Sequence, residues 1–300
     1  MDGDAEPWGR PEEGTMSQDI INLYDEYSHG GMDRRAFLER LAQVAGSSAA
    51  ALALLPVLEA NYGQGPIVAP DDKSLVTGKT EYDAAGTKMS GYLARQVGGK
   101  KHPAVIVISE NRGLNAHIED VARRFAVEGF LAFAPDPLSP VGGTPADPAE
   151  VSKLFGSLNA AETAARLAAA VKFLATHAES TGKVGVVGFC WGGGMVNRLA
   201  AAGTTLNAGV SYYGAQLPAA EVPKLSCPLM LHYGSLDTRI NAGIPDYEAA
   251  LKEHKKTYEL FMYEGANHAF NNNTNATRYN KEAADLAWKR TVEFFKKYLK

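Results

Sequence analysis

The stretch KVGVVGFCWGGG, residues 183 to 194, sets a cysteine between an apolar run and a cluster of glycines. The apolar run is typical of a buried strand, and the glycines open a predicted helix. Two interpretations compete for such a turn. It is either a glycine loop that binds phosphate or a sharp turn that presents Cys190 as a nucleophile.

Composition limits what this turn can belong to. The chain has 300 residues, of which 45% are hydrophobic and 21% charged, as in ordinary globular proteins. A net charge of -4, without a long block of lysine and arginine, argues against a nucleic-acid partner. The two cysteines, Cys190 and Cys227, lack C-x-x-C spacing. We therefore predict neither a metal site nor a disulfide framework.

The first 62 residues differ in composition from the rest. Residues 1–15 are rich in acidic residues, glycine and proline, which predicts a disordered leader. Within residues 16–62, the pair Arg34-Arg35 precedes a stretch rich in alanine and leucine. This pattern resembles a twin-arginine export signal and would predict a periplasmic protein.

Retained helices are the alternative interpretation of this segment. Amphipathic helices over 20–27 and 33–58, the second capped by Asp33, would form an extension of the main domain. Glu39 interrupts the apolar onset of an export signal, and Glu59 stands where a small cleavage-site residue is expected. The segment is also too short and too rich in alanine for a stable membrane span. We favour a retained extension on a cytoplasmic protein.

Residues 63–300 alternate between apolar strands and helical patterns. A leading hairpin is predicted from strands at 79–84 and 89–96. Later strands are predicted at 104–109, 131–136, 183–189, 208–214, 228–234 and 258–263. Helices are predicted at 118–128, 160–177, 193–202, 245–255 and 281–299. The alternation predicts an α/β domain whose mostly parallel sheet is covered on both faces and binds ligands at the carboxyl ends of its strands.

The phosphate-loop interpretation fails on spacing. A dinucleotide loop needs G-x-G-x-x-G after the first strand of its unit and an acidic residue roughly 20 positions later. Gly188 and Gly192 break that spacing, and the next acidic residue is Glu221. The same glycines fit a nucleophile elbow, G-x-nucleophile-x-G, with Cys190 in the centre. We therefore predict no cofactor at this turn. We also expect the N-terminus of the following helix to stabilise Cys190 as a thiolate.

The remaining members of a triad follow Cys190 in the order expected for such an elbow, acid and then histidine. Asp237 in YGSLDTRI and His268 in EGANHAF each follow a predicted strand at the carboxyl end of the sheet. Asp237 alone could be a turn residue and His268 a loop histidine, but their order and context favour a triad. His232 lies inside a predicted strand and indicates a core residue.

Residues from about 80 to 299 resemble the dienelactone hydrolase family, also called carboxymethylenebutenolidases, which has the α/β-hydrolase fold. The resemblance is carried by VIVISENRGLN (105–115), GKVGVVGFCWGGG (182–194), YYGAQL (212–217), LHYGSLD (231–237) and YEGANHAFN (263–271). It implies hydrolysis of a small-molecule ester or lactone through an acyl-thioester. Cys190 would be the nucleophile, His268 the base and Asp237 its orienter. Glu110 would pair with the thiol at rest and help to form the thiolate.

Further site residues follow from that mechanism. The backbone N–H groups of Trp191 and Asn111 would bind the oxyanion of the tetrahedral intermediate. Tyr92 and Phe270 are candidate walls of the substrate pocket. These aromatic side chains could equally belong to the core.

The substrate need not be the dienelactone of the family name. Relatives that act on it bind its carboxylate with two arginines, one of them four residues after the histidine. Asn272 occupies that place here, and residues 138–165 contain no arginine. Arg112 and Arg278 are candidate substitutes. The resemblance therefore implies thiol-dependent hydrolysis but leaves the substrate open.

Two other functions fit the same motifs. A thioesterase or peptidase could use the same triad, and a ligand-binding protein could share the scaffold without catalysis. The presence of Cys190, Asp237, His268 and Glu110 together argues against the non-catalytic alternative. The sequence leaves homo-oligomer formation open.

Overall fold

The computed structural model describes residues 16–59 and 65–300. The leader predicted over residues 1–15 lies outside the described residues. The described residues divide into two compact units, 16–59 with Asn275–Thr277, and 65–274 with Arg278–Lys300. Each unit has a hydrophobic core of its own.

Short helices build the described part of the first unit: α1 (Gln18–Ser28), α2 (Arg34–Val44) and α3 (Ser48–Glu59). Asp33 caps α2, as predicted, because its carboxylate accepts a hydrogen bond from the backbone N–H of Ala36 at 2.8 Å. The core of this unit is made of buried apolar side chains: Ile20, Leu23, Tyr24, Phe37, Leu41, Ala51, Leu55 and Leu58.

The prediction of one helix over residues 33–58 is wrong, because the chain turns between α2 and α3. Gly46 adopts a left-handed φ of 83°, which ends α2 just after its last residue. Ser47 then caps α3 by accepting a hydrogen bond from the N–H of Ala50 at 3.1 Å. Among the described residues, no single helix has the length and apolarity to cross a membrane; α2 and Ser48–Leu58 reach that length only as a pair bent by 112°.

The second unit is built on one eight-stranded mixed sheet. Its strands are β1 (Leu75–Ala84), β2 (Thr87–Gln96), β3 (His102–Ile108), β4 (Leu131–Pro135), β5 (Ser180–Phe189), β6 (Ala208–Tyr212), β7 (Leu229–Gly234) and β8 (Tyr258–Tyr263). They are ordered β1-β2-β4-β3-β5-β6-β7-β8. The β1–β2 and β2–β4 pairs are antiparallel, and the other pairs are parallel. The predicted hairpin and mostly parallel sheet are confirmed.

Helices cover both faces of this sheet. The helices of the unit are α4 (Ala116–Val127), α5 (Pro148–Ser157), α6 (Ala160–Ala175), α7 (Trp191–Ala201), α8 (Thr238–Asn241), α9 (Ile244–Glu253) and α10 (Lys281–Tyr298). Apolar side chains of α4 and α10 share one core cluster with the sheet, and those of α6, α7 and α9 share the other. This arrangement is the α/β-hydrolase fold, with the carboxyl ends of the parallel strands along one edge.

Some elements differ from the sequence predictions. The helices α5 and α8 and the 3-10 segments Ser139–Val141 and Ala219–Lys224 were not predicted. They are short or contain proline or glycine, which weakens their apolar periodicity. Strand β6 ends at Tyr212 rather than at residue 214, because Tyr213 has a φ of 39°, outside the strand region.

Candidate active site

Four of the predicted residues meet at the carboxyl edge of the parallel strands. Glu110 follows β3, Cys190 follows β5, Asp237 follows β7 and His268 follows β8. The four side chains are buried, with between 4% and 8% of their surface exposed. Residues far apart in the sequence are thus brought to one place by parallel strands, as the fold predicts.

Cys190 occupies a strained turn between β5 and α7. Its φ of 54° and ψ of -114° lie in a region that side chains with a Cβ rarely adopt. The turn is held on both sides, since the Cys190 N–H donates to the carbonyl of Tyr212 at 3.0 Å and the Gly194 N–H donates to the Cys190 carbonyl at 3.2 Å. The surrounding structure therefore enforces the backbone conformation of a nucleophile elbow.

The glycines around Cys190 allow strand and helix to approach closely. A Cβ on Gly188 would lie 2.2 Å from the carbonyl oxygen of Gly192. A Cβ on Gly192 would lie 2.5 Å from the carbonyl oxygens of Ile108 and Ser109 in the neighbouring strand and its loop. Atoms cannot approach that closely without displacement of the backbone. The expectation that flanking glycines avoid clashes at this turn is confirmed.

His268 and Asp237 form a short hydrogen-bonded pair. The His268 Nδ1 lies 2.5 Å from Oδ2 of Asp237, and Oδ1 of Asp237 accepts the N–H of Ile240 at 3.2 Å. The acceptor at Nδ1 favours the tautomer in which Nε2 can take up a proton. The sulfur of Cys190 lies within 4.8 Å of a ring nitrogen of His268. The thiol of Cys190 and the hydrogen-bonded pair of His268 and Asp237 thus lie near one another at this edge of the sheet.

Glu110 accepts hydrogen bonds from two neutral donors. The Tyr213 hydroxyl donates to Oε1 of Glu110 at 3.4 Å, and the Asn272 amide donates to Oε2 at 3.0 Å. Burial is the main reason that the pKa of Glu110 is raised, and the nearby Cys190 adds to it. The charges of His268 and Arg112 and the Asn272 hydrogen bond act in the opposite direction. The raised pKa makes this carboxylate a stronger base than an exposed one.

The orientation of Asn272 is fixed by Thr274. Its Oδ1 accepts the Thr274 N–H at 3.1 Å and the Thr274 hydroxyl at 2.7 Å. Two donors at Oδ1 leave Nδ2 as the group that faces Glu110. The position of Asn272, where relatives have a substrate-binding arginine, predicts a substrate contact, whereas in the structure its side chain bonds Glu110 and Thr274.

The two predicted oxyanion donors are sequence neighbours of the site residues, since Trp191 follows Cys190 and Asn111 follows Glu110. Trp191 is the first residue of α7, where backbone N–H groups have no acceptor within their own helix. Asn111 is half-buried and directly follows Glu110 in the loop after β3. The Trp191 ring packs edge-on against Phe155 of α5, with centroids 5.0 Å apart. The unpredicted helix α5 therefore lies beside the elbow.

The other predicted substrate contacts have different surroundings. Phe270 is fully buried and packs against Tyr213 and Tyr263, with centroids 5.4 and 5.0 Å away. The Tyr92 hydroxyl accepts a hydrogen bond from the buried Arg123 at 3.1 Å. Arg112 is half-buried next to Asn111, and its charge acts on Glu110. Of the three, Arg112 is thus the one that the structure links electrostatically to Glu110.

Tyr213, for which the sequence predicts no role, contacts two members of the site. Its hydroxyl reaches Glu110, and its ring lies 5.0 Å from that of His268. Burial and the nearby carboxylate raise the pKa of this phenol well above its ordinary value, so it remains a donor. A signal was available in the motif YYGAQL, whose second tyrosine lies near the carboxyl end of the strand predicted at 208–214.

This combination of an elbow, a histidine–aspartate pair and an eight-stranded sheet defines the chain as an α/β-hydrolase. Comparison with protein families identifies the branch. Residues 89–299 match the model of the dienelactone hydrolase family, and the chain belongs to that family. It is therefore a hydrolase that acts on ester or lactone bonds of small molecules. Residues 10–46 separately match a family model described as YqhI-like.

Individual relatives agree with the family model. A "Putative carboxymethylenebutenolidase" of Synechocystis is 36% identical over 231 residues, which is 71% of this chain and 93% of that protein. A relative of the same description from Escherichia coli O157:H7 is 32% identical, over 77% of this chain and 91% of its own. The crystal structure of a "Putative Dienelactone Hydrolase" from Klebsiella pneumoniae is 30% identical, with a TM-score of 0.69, over 75% of this chain and all of its own.

Proposed function

We propose that this protein hydrolyses neutral carboxylic esters or lactones through a covalent acyl-thioester on Cys190. The observation that carries the proposal is the strained Cys190 elbow with the sulfur within 4.8 Å of a His268 ring nitrogen. His268 is in turn hydrogen-bonded to Asp237. Covalent acyl transfer uses a nucleophile near a base that an acid orients, and these three residues supply such a set.

In the acylation step the thiol proton of Cys190 passes to Glu110, and the thiolate attacks the carbonyl carbon. A C–S bond forms and the carbonyl electron pair moves to oxygen, where the N–H groups of Trp191 and Asn111 stabilise it. The intermediate collapses as the bond to the alcohol oxygen breaks. The leaving alkoxide takes up the proton that Glu110 accepted from the thiol. The enzyme is left as an acyl-thioester.

In the deacylation step His268 takes a proton from water, and the hydroxide attacks the thioester carbonyl. The C–S bond breaks, the acid product leaves, and the proton that His268 took from water passes to the sulfur. Asp237 stabilises the imidazolium that exists between these transfers. The cycle consumes one water molecule for each ester bond.

The test combines hydrolysis with thiol labelling. Cys190→Ala should abolish hydrolysis of p-nitrophenyl acetate, and iodoacetamide should inactivate the wild type with Cys190 as the labelled residue. Cys227→Ala is the matched control. Burial raises the pKa of Cys227 to about 12, so this thiol should remain protonated and react slowly. Full activity of Cys190→Ala would overturn the proposal.

A second experiment tests the intermediate. His268→Ala should still be acylated by p-nitrophenyl acetate but should deacylate slowly, so that intact mass shows one added acetyl group on the protein. Peptide mapping should place that group on Cys190. A panel with a neutral lactone, a thioester and a peptide substrate tests whether ester bonds are preferred. Preferred cleavage of the peptide would contradict the proposed substrate class.

A further inference from the structure

The loop between β3 and α4 carries Glu110 and the candidate oxyanion donor Asn111. It begins where β3 ends at Ile108. It ends at Asn115, whose side chain caps α4 by accepting the N–H of Ile118 at 3.1 Å. Between these ends, the N–H of Leu114 donates to the hydroxyl oxygen of Thr144 at 3.0 Å. A residue 30 positions away thus holds the middle of this loop.

Thr144 is itself fixed by a buried carboxylate. Its N–H donates to Oδ2 of Asp136 and its hydroxyl donates to Oδ1, each at 2.8 Å. Asp136 is 6% exposed and directly follows β4. Because the Thr144 hydroxyl proton points to Asp136, the oxygen presents a lone pair to the N–H of Leu114. The donors and acceptors of this chain of hydrogen bonds therefore have one consistent arrangement.

The backbone of the loop is shaped around the Thr144 side chain. Gly113 has a left-handed φ of 68°. A Cβ at this position would lie 2.3 Å from the Thr144 hydroxyl oxygen and 2.6 Å from its methyl carbon. The glycine is thus required both by its backbone angle and by the close approach of Thr144. The loop and the segment after β4 fit together at this contact.

We propose that Thr144, held by Asp136, is a positioning residue for the oxyanion donor of Asn111. The inference rests on the proposed function, since it concerns the same acylation step. The hydrogen bond that the Leu114 N–H donates to Thr144 lies three residues from Asn111. This bond limits how far the loop can move relative to Cys190. Thr144 touches no reacting atom and acts through the backbone.

Oxyanion stabilisation depends strongly on such placement. A donor must lie about 2.7 to 3.1 Å from the position of the oxyanion, and loss of one donor costs roughly 10²- to 10³-fold in kcat. A shift of the loop that keeps the donor in the site should lower kcat by less than the loss of the donor does. We expect Thr144→Val, which keeps the size of the side chain and loses the hydroxyl, to lower kcat about 10- to 100-fold. KM should change little.

Thr144→Ser is the matched control, because serine retains the hydroxyl that bonds Asp136 and Leu114. It should keep kcat for p-nitrophenyl acetate within about three-fold of the wild type. Alkylation of Cys190 by iodoacetamide is the second readout. That reaction forms an S–C bond with loss of iodide and involves no carbonyl oxyanion. The alkylation rate of Thr144→Val should therefore match that of the wild type.

The outcomes separate this inference from the proposed function. Wild-type kcat in Thr144→Val would overturn the positioning role. A fall in hydrolysis and alkylation together would also overturn it, because that result means that the whole site is disturbed. Activity that persists in Cys190→Ala would instead count against the proposed function. We expect slow hydrolysis with a normal alkylation rate in Thr144→Val. We expect Thr144→Ser to hydrolyse the ester at close to the wild-type rate.

Discussion

Asn272 donates its amide to Glu110 at 3.0 Å across 162 positions of sequence. The amide is neutral, and its oxygen is already bonded twice by Thr274. Asn272 thus gives Glu110 a hydrogen-bond donor but lacks the positive charge that an arginine at position 272 would carry. The arrangement leaves the side chain of Asn272 unable to neutralise an anionic substrate.

We expect neutral esters and lactones to be hydrolysed faster than dienelactone. A carboxylate that enters a buried pocket needs a cation or several donors to replace its hydration, and arginine usually supplies them. Without that arginine the loss should be about 2 to 5 kcal/mol, by analogy with a broken buried charge pair. This corresponds to about 30-fold to several thousand-fold in kcat/KM. Steady-state kinetics with dienelactone and a neutral lactone of similar size measure the ratio.

Arg112 is the residue most able to reverse this preference, because it follows Asn111 and its charge reaches Glu110. The control is therefore Arg112→Ala with both substrates. A wild type that prefers dienelactone, with the preference lost in Arg112→Ala, would show that the carboxylate site has moved to Arg112. An unchanged ratio in this variant supports a site built for neutral substrates.

The glycines of the elbow give a second prediction. In Gly192→Ala the new Cβ would lie 2.5 Å from two carbonyl oxygens, so the backbone must shift. We expect a loss of at least about 2 kcal/mol in the free energy of unfolding, together with loss of activity. In Gly194→Ala the nearest atom outside the helix lies at 3.6 Å, an ordinary contact. Urea unfolding should show that Gly194→Ala is tolerated, and equal effects of the two substitutions would contradict the steric explanation.

Much of the site could be predicted from local sequence. The apolar run before Cys190 and the glycines after it specify a strand, a turn and a helix within a dozen residues. Asp237 and His268 follow strands of the same sheet, so parallel topology alone brings them to the same edge. The structure has all three residues at that edge. These predictions depend on periodicity and on chain order, which a single sequence contains.

The contacts of Glu110 could not be predicted in this way. The position of Asn272 suggested a substrate contact, but its hydrogen bond to Glu110 depends on how the loop after β8 folds back. The bond between Leu114 and Thr144 likewise joins two loops of irregular structure. Such contacts follow from the packing of whole elements, for which hydrophobic periodicity gives no signal. The turn at Gly46 gives no clear signal in the sequence, because alanine-rich sequence continues on both sides of it.

The N-terminal segment gives a third prediction. We propose that residues 17–58 stay attached to the mature protein, since Glu59 stands where an export signal needs a small residue. The intact mass of protein purified from its native host should include this segment. A mature N-terminus near Ala60 or Asn61, in protein from an extracytoplasmic fraction, would show a cleaved signal. Replacement of Arg34 and Arg35 by lysine is the control, because it should block twin-arginine export and leave a retained segment unaffected.

The last prediction concerns acid stability and rests on His232 in the core. Its ring nitrogens face the hydroxyls of Thr291 and Tyr263 at 3.1 and 2.9 Å, and burial lowers its pKa to about 3. Between about pH 6.5 and pH 3 the unfolded chain binds a proton at this residue and the folded chain does not, so stability falls by up to about 1.4 kcal/mol per pH unit as the pH is lowered. His232→Gln should be less stable at neutral pH but should lose stability less steeply between about pH 6 and pH 4. Urea unfolding across this range measures both slopes, with His254→Gln at the exposed end of α9 as the control for loss of a histidine. A slope in His232→Gln as steep as in the wild type would mean that this histidine is not the neutral core residue described here.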